Sequence, residues 1–170
     1  MTDLRVIGTS GRALWQDKTL RCAIGRGGLV AAQTKIEGDG KTPIGRWPLQ
    51  RVFYRADRVT VPVTTLPVQP LQPNDGWCDA PGDERYNQFV QHPYPASAEH
   101  LWREDAAYDL IVTLSYNVAP VVSGKGSAIF LHLVQPDFSP TAGCVAILPD
   151  DLLMFLAGVT LSSAVTVSTD

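Results

Sequence analysis

No run of about 18 apolar residues occurs anywhere in the chain, so no segment reads as a membrane-spanning helix. Basic residues never cluster, and the net charge is −3, which gives nucleic acid no electrostatic footing as a partner. The opening M-T-D-L-R-V-I-G has neither a basic stretch nor a long apolar core and does not read as a signal peptide. Cysteine is scarce and its count of 3 is odd, which excludes a complete disulfide framework. His92, His100, Cys78 and Asp79 have none of the spacings that hold zinc, so no metal is expected. No internal repeat is visible. What remains is 170 residues, 45% hydrophobic and 18% charged, which is the composition of one ordinary globular domain, 1–170, large enough to bury a core.

Short β-rich runs separated by glycine-containing turns fill the first third: Asp3–Gly8, Thr19–Gly25 and Leu29–Lys35. Cys22 falls in one of them as a buried strand residue. Arg46–Arg55 alternates roughly, with Pro48 suited to a strand start or edge. Five prolines (Pro62, Pro67, Pro70, Pro73, Pro81) then stiffen Val61–Pro81, which should run extended outside any central sheet. That segment is either a surface crossing or a rigid wall over a groove. It leads into Gly76-Trp77-Cys78-Asp79 and Tyr86-Asn87, a set of groups suited to substrate recognition, though Trp77 and Tyr86 equally suit loop packing. Ser97–Arg103 reads as a short helix capped by Ser97. Tyr108–Tyr116 and Ala128–Val134 read as strands, Asn117–Gly126 as a turn. Pro149-Asp150-Asp151 starts a helix to Gly158, and Ala164–Ser168 closes the chain as a strand. Strands dominate without βαβ alternation. The expected fold is therefore mainly β: a mostly antiparallel sandwich or partial barrel with one or two short helices and a proline-rich loop.

Chemistry concentrates in S-A-I-F-L-H-L-V-Q-P-D-F-S-P-T-A-G-C-V-A-I-L, Ser127–Leu148. One apolar run delivers His132, and a short loop broken by prolines leads to Thr141-Ala142-Gly143-Cys144 before a second apolar run. A thiol becomes a strong nucleophile once a base takes its proton, and imidazole is the usual base. Gly143, lacking Cβ, lets a carbonyl approach the backbone, where N–H groups can hold an oxyanion. No acidic third member is visible, so a backbone carbonyl is expected to orient the ring through one nitrogen.

The pair His132 and T-A-G-C, together with G-D-G-K-T-P-I-G at Gly38–Gly45, resembles the L,D-transpeptidase catalytic domain family (YkuD-like), cysteine acyltransferases that crosslink peptidoglycan. The resemblance covers the chain from about Gly28 onward and implies a β-rich sandwich fold. It implies Cys144 as nucleophile, His132 as base and Gly143 at the oxyanion site. Thr141, Trp77, Asp79, Tyr86 and Asn87 are the candidate substrate contacts. The chain is a divergent member: Leu133 follows the histidine where glycine is common, Ala142 replaces a second histidine, and Ala146 replaces an Arg or Asn.

The function so implied is transfer between peptidoglycan stem peptides through a cysteine thioester, without a cofactor and with an open crosslink position. An L,D-carboxypeptidase using water as acceptor, or a catalytically silent wall-binding domain, are the alternatives. Such a substrate places the protein in the periplasm or cell wall. The cytoplasm is the alternative, since the opening residues do not read as a signal peptide.

Overall fold

A computed structural model describes residues 2–170. Their strands are β1 (Leu4–Ile7), β2 (Arg12–Trp15), β3 (Lys18–Ala23), β4 (Leu29–Ala31), β5 (Thr42–Tyr54), β6 (Val68–Pro70) and β7 (Asp75–Cys78), followed by β8 (Phe89–Gln91), β9 (Ala98–His100), β10 (Leu110–Leu114), β11 (Phe130–Leu133), β12 (Val145–Ile147) and β13 (Ala164–Ser168). The helix α1 spans Pro149–Gly158.

Eight strands close on themselves in the order β10-β11-β12-β3-β2-β1-β13-β5 and back to β10. The expected partial barrel is thus a closed one. Its pairings are mostly antiparallel, but β1 with β13 and β11 with β12 run parallel. Closure falls to β5, which pairs with β13 through Gly45–Pro48 and with β10 through Leu49–Tyr54. Pro48 therefore lies inside a long strand rather than at its start. It is tolerated because it sits where β5 changes partner, and its carbonyl still accepts a hydrogen bond from Ser115 N–H at 2.9 Å.

Side chains alternate across the barrel wall. Leu131, Leu133, Val145 and Ile147 point inward to the main core with Leu4, Val6, Val52 and Val112, and α1 contributes Leu152, Phe155 and Leu156 to it. Pro149 opens this helix and Asp150 and Asp151 lie in its first turn, where the helix dipole favours them. The opposite set, Phe130, His132, Cys144 and Ala146, faces outward and is nonetheless buried. What covers part of that outer face is a second sheet of order β8-β7-β9, inserted between β6 and β10. Between the two layers lies another apolar core of Phe53, Leu71, Trp77, Leu101, Phe130 and Cys144. Trp77 meets Phe130 edge-on at 5.0 Å, and full burial of a ring such as Phe130 contributes about 1.5–3 kcal/mol.

Two expectations are corrected here. Ser97–Arg103 is not a helix: Ala98–His100 forms β9 and pairs with Gly76–Cys78. A free edge on β7 outweighs the helix-forming tendency of seven residues, because local propensity is a weak preference beside tertiary pairing. The region of the prolines also does join sheets. Val68–Pro70 pairs with the edge of β5, and the proline-free Asp75–Cys78 is the central strand of the second sheet. Cys22 is buried on β3 as expected, and Cys78 is buried on β7 rather than displayed in a loop.

Candidate functional site

The segment bearing Cys144 is fixed by hydrogen bonds from three directions. Thr141 exchanges backbone bonds with strand-end residues, donating to Ile24 O and accepting from Arg26 N–H, both at 2.9 Å. Its hydroxyl donates to the Cys144 carbonyl at 2.7 Å and accepts the Gly143 N–H at 3.1 Å. Thr42, fully enclosed, donates its hydroxyl to the Gly143 carbonyl at 2.8 Å and accepts the Gly25 N–H at 2.9 Å. The early Thr-Pro-x-Gly turn and the late Gly-Cys pair are thereby one structural unit. Gly143 has φ +143, and a Cβ there would stand 3.0 Å from the Lys41 carbonyl, so no other residue fits without strain.

His132 pairs in register with Ala146 on β12, so Cys144, two residues earlier, shares its face of the wall. Both side chains line one cavity of about 320 Å³, together with Tyr108, Arg103, Glu99 and Gln135. His132 Nδ1 lies 2.9 Å from the Leu133 carbonyl, which fixes Nδ1 as the protonated nitrogen and leaves the Nε2 lone pair free. Tyr108 packs edge-on against the imidazole at 5.2 Å. The thiol donates to the Ala128 carbonyl at 3.1 Å and accepts the Phe130 N–H at 3.4 Å; it makes no hydrogen bond to the ring.

Both groups are neutral at rest. Burial pushes the Cys144 thiol up to about 12, with the nearby Glu99 carboxylate adding to the rise and the Phe130 N–H opposing it. Burial pushes the His132 imidazole down to about 4, against the pull of the Leu133 carbonyl, with Arg103 lowering it further. The pair is therefore a neutral thiol and a neutral imidazole in one cavity, the ring's Nε2 making no hydrogen bond within the protein.

A second cavity, of about 270 Å³, meets the first at Cys144, Tyr108, Glu99 and Ala142. Gly143, Asp79 and Ser127 belong to its wall, whereas His132 does not. Of the substrate contacts expected from sequence, Thr141 and Asp79 reach these cavities. Trp77, Tyr86 and Asn87 do not; all three are buried. The Trp77 indole donates to Asn87 Oδ1 at 2.9 Å, and Tyr86 OH donates to Glu37 and accepts the Gly126 N–H.

Asn87 spends its whole amide inside the protein. Oδ1 also accepts the Ala128 N–H at 3.0 Å, while Nδ2 donates to the Tyr116 and Asn117 carbonyls at 3.1 and 2.8 Å. It so holds Ala128, whose φ is +52 and whose carbonyl receives the thiol. The proline-rich segment divides: Leu71 and Trp77 pack in one core with Cys144 and Asp79 lines the second cavity, whereas its first part, through Pro67, is not among the residues of either cavity. Pro62 lines a surface groove together with Pro149 and Leu153 of α1, and Thr65 donates to the Val159 carbonyl at 3.0 Å. Only this first part, before β6, is a surface crossing.

Three residues of the site escaped the sequence. Glu99 accepts the Tyr108 hydroxyl at 2.6 Å and borders both cavities. Arg103 lies over the Tyr108 ring at 5.0 Å and pairs with Asp105. Glu99 and Arg103 lie within the stretch read as a helix, and Tyr108 within a strand read as core. An E-H-L-W-R run bearing two opposite charges was the available signal.

The model of the YkuD family, the L,D-transpeptidase catalytic domain, matches residues 8–167. No curated protein and no solved structure matches the chain.

Proposed function

We propose, since the chain belongs to the YkuD family of L,D-transpeptidase catalytic domains, that it joins peptidoglycan stem peptides through a thioacyl intermediate on Cys144. The observation that carries this reading is the placement of Cys144 and His132 in one cavity with the ring locked by Leu133 and Nε2 unencumbered. A donor carbonyl settles over the sulfur. The thiol leaves the Ala128 carbonyl and gives its proton to Nε2 as the S–C bond forms. The Gly143 N–H is engaged by Thr141, so the Cys144 N–H takes the oxyanion. The C–N bond then breaks, and His132 returns its proton to the departing amine. An amine of a second stem attacks the thioester and His132 takes its proton. The S–C bond breaks, and the sulfur recovers the proton as thiol.

The missing Arg or Asn after the cysteine is offset by Arg103 and Gln135, which line the His132 cavity from elsewhere in the chain. A substrate of this class places the working protein in the cell envelope. No helix among the described residues is long and apolar enough to cross a membrane.

Incubation with purified muropeptides followed by mass spectrometry tests the reading. Crosslinked dimers, and a thioacyl adduct on Cys144, are the expected products, both lost in Cys144→Ala. Trimmed monomers without dimers would assign hydrolysis instead, and an unmodified Cys144 with unchanged substrate would leave a wall-binding domain.

A further inference from the structure

Arg5, Arg12 and Arg21 stand apart in the sequence and line neither cavity beside Cys144, but the fold gathers them on the outer face of β1, β2 and β3. Arg12 is the register partner of Arg21 on one side and of Ile7 on the other. Alternation along β1 then sets Arg5 diagonally across from Arg12. The Cys22 N–H donates to the Gly11 carbonyl at 2.9 Å, which makes Gly11 and Cys22 a hydrogen-bonded pair of the ladder. Arg12 and Arg21 are therefore the next, non-hydrogen-bonded pair, whose Cα atoms approach to about 4.5 Å and whose side chains stand closest. Like charges set directly opposite one another destabilise a sheet. An anion between them reverses the sign.

No carboxylate of the chain relieves this pair. The ion pairs among the described residues use Lys35, Arg46, Arg55, Arg58 and Arg103. Arg12 and Arg21 line a groove of about 550 Å³ that has no aspartate or glutamate in its wall. Asp137, beside Phe138 of that wall, is engaged by the Ser139 N–H at 2.9 Å. The Arg21 guanidinium lies 3.8 Å above the centre of the Phe138 ring, a cation–π contact that steadies the fork without consuming an N–H. Thr19, exposed two residues before Arg21, adds a hydroxyl donor to the same wall. The Ser10 hydroxyl already donates to the Ile7 carbonyl at 3.1 Å. The groove is thus lined by donors and positive charge.

Geometry decides which anion fits. A guanidinium fork binds carboxylate or phosphate through two parallel hydrogen bonds. A planar carboxylate has two oxygens, and one fork occupies both. Two facing forks and a hydroxyl call for oxygens on more than one side, which a tetrahedral phosphate supplies. We propose that Arg12, Arg21 and Thr19 form a binding site for a phosphate group, carried on a lipid headgroup or on a soluble ester. Phe138 belongs to the loop between His132 and Cys144, and Gln135 and Ser139 of that loop line the His132 cavity. One segment therefore walls both the phosphate groove and the cavity of the acyl transfer. The phosphate site is independent of the reading of Cys144 as nucleophile.

Thermal unfolding of the wild type and of Arg12→Gln, which keeps the Arg21–Phe138 contact, tests the site with sodium phosphate and sodium acetate at one low ionic strength and neutral pH. Phosphate should raise the wild-type Tm saturably, by about 3–6 °C at ten times its dissociation constant, and acetate by less than about 1 °C. Arg12→Gln should lose most of the phosphate response yet melt no lower than the wild type without phosphate, because the like-charge pair is gone. Arg21→Gln should lose the phosphate response as well. Co-sedimentation with phosphatidylglycerol vesicles, against phosphatidylcholine alone, separates the sources. Binding by the wild type that Arg12→Gln loses assigns the lipid headgroup. A phosphate response without vesicle binding assigns a soluble phosphate ester. An equal response to acetate, an undiminished phosphate response in both variants, or no response of the wild type to phosphate overturns the site, whatever the vesicles show.

Discussion

Replacing Thr42 by valine should damage the site from a distance, and the amount can be worked from two hydrogen bonds. Valine keeps the β-branch and nearly the volume but has no hydroxyl. The Gly25 N–H and the Gly143 carbonyl, held at 2.9 and 2.8 Å by that hydroxyl, are then stranded in a place water does not reach. Each stranded buried group costs about 1–3 kcal/mol, so Thr42→Val should lose about 2–5 kcal/mol. In a chain of this size, 1 kcal/mol moves the midpoint by about 2–4 °C, so Tm should fall by about 5–15 °C. Below that midpoint Cys144 acylation by a peptide donor should also slow, because Gly143 loses the anchor on its carbonyl and keeps only the N–H bond to Thr141. Thr42→Ser keeps the hydroxyl and should lose about 1 kcal/mol for its methyl. Thermal unfolding of the three proteins, with acylation by intact mass, gives the answer. A valine variant melting within 2 °C of wild type, or a serine variant melting as low as the valine one, would refute the clamp.

Gly143→Ala should destabilise by about 1–3 kcal/mol, because the new methyl meets the Lys41 carbonyl at 3.0 Å in a positive-φ backbone; an unchanged urea midpoint would show that the loop shifts freely. His132→Gln should lower kcat/KM by about 10²–10⁴-fold without recovery up to pH 10, since burial pushes the thiol up to about 12; recovery near pH 9 would show a more acidic sulfur. The native imidazole is pushed down to about 4 and the unfolded one titrates near 6.5, so between those values only the unfolded chain takes up the proton. Stability should therefore fall by about 3 kcal/mol as pH drops from ~6.5 to ~4, and urea titrations should show that loss reduced in His132→Gln. Replacing Pro62 and Pro67 by alanine should leave donor preference unchanged, as that part of the segment lines neither cavity beside Cys144; an altered preference in kcat/KM would return it to the catalytic groove.

His132 and Cys144 were readable because chemistry and neighbourhood coincide in sequence. Two apolar runs joined by a short loop became adjacent parallel strands, and the imidazole found a backbone carbonyl as orienting partner, as expected. The helix from Pro149 and the strand Ala164–Ser168 were readable for a similar reason, since their signals lie within their own residues. Glu99 was not readable. Its role depends on β9 pairing with β7, and nothing in seven residues encodes the edge of a distant strand. Asn87 misled in the opposite sense. A polar residue in a loop suggests a contact with substrate, but its four hydrogen bonds run inward, to Trp77, Ala128, Tyr116 and Asn117. Proline content announced a stiff segment correctly. Its course was set by Leu66, buried in the barrel core, and by the Thr65 bond to Val159.

A sulfur held as thiol by its surroundings is also a sulfur that ages slowly. Peroxide and disulfides react with the thiolate, and with the Cys144 thiol pushed up to about 12 only about one molecule in 10⁵ carries a thiolate at pH 7. Burial pushes Cys22 up to about 11 as well, and Cys78 has no exposed surface. None of the three cysteines therefore presents an easy target for oxidation or for a mixed disulfide. Kept protonated by its surroundings, the Cys144 thiol can remain reduced without a partner to repair it.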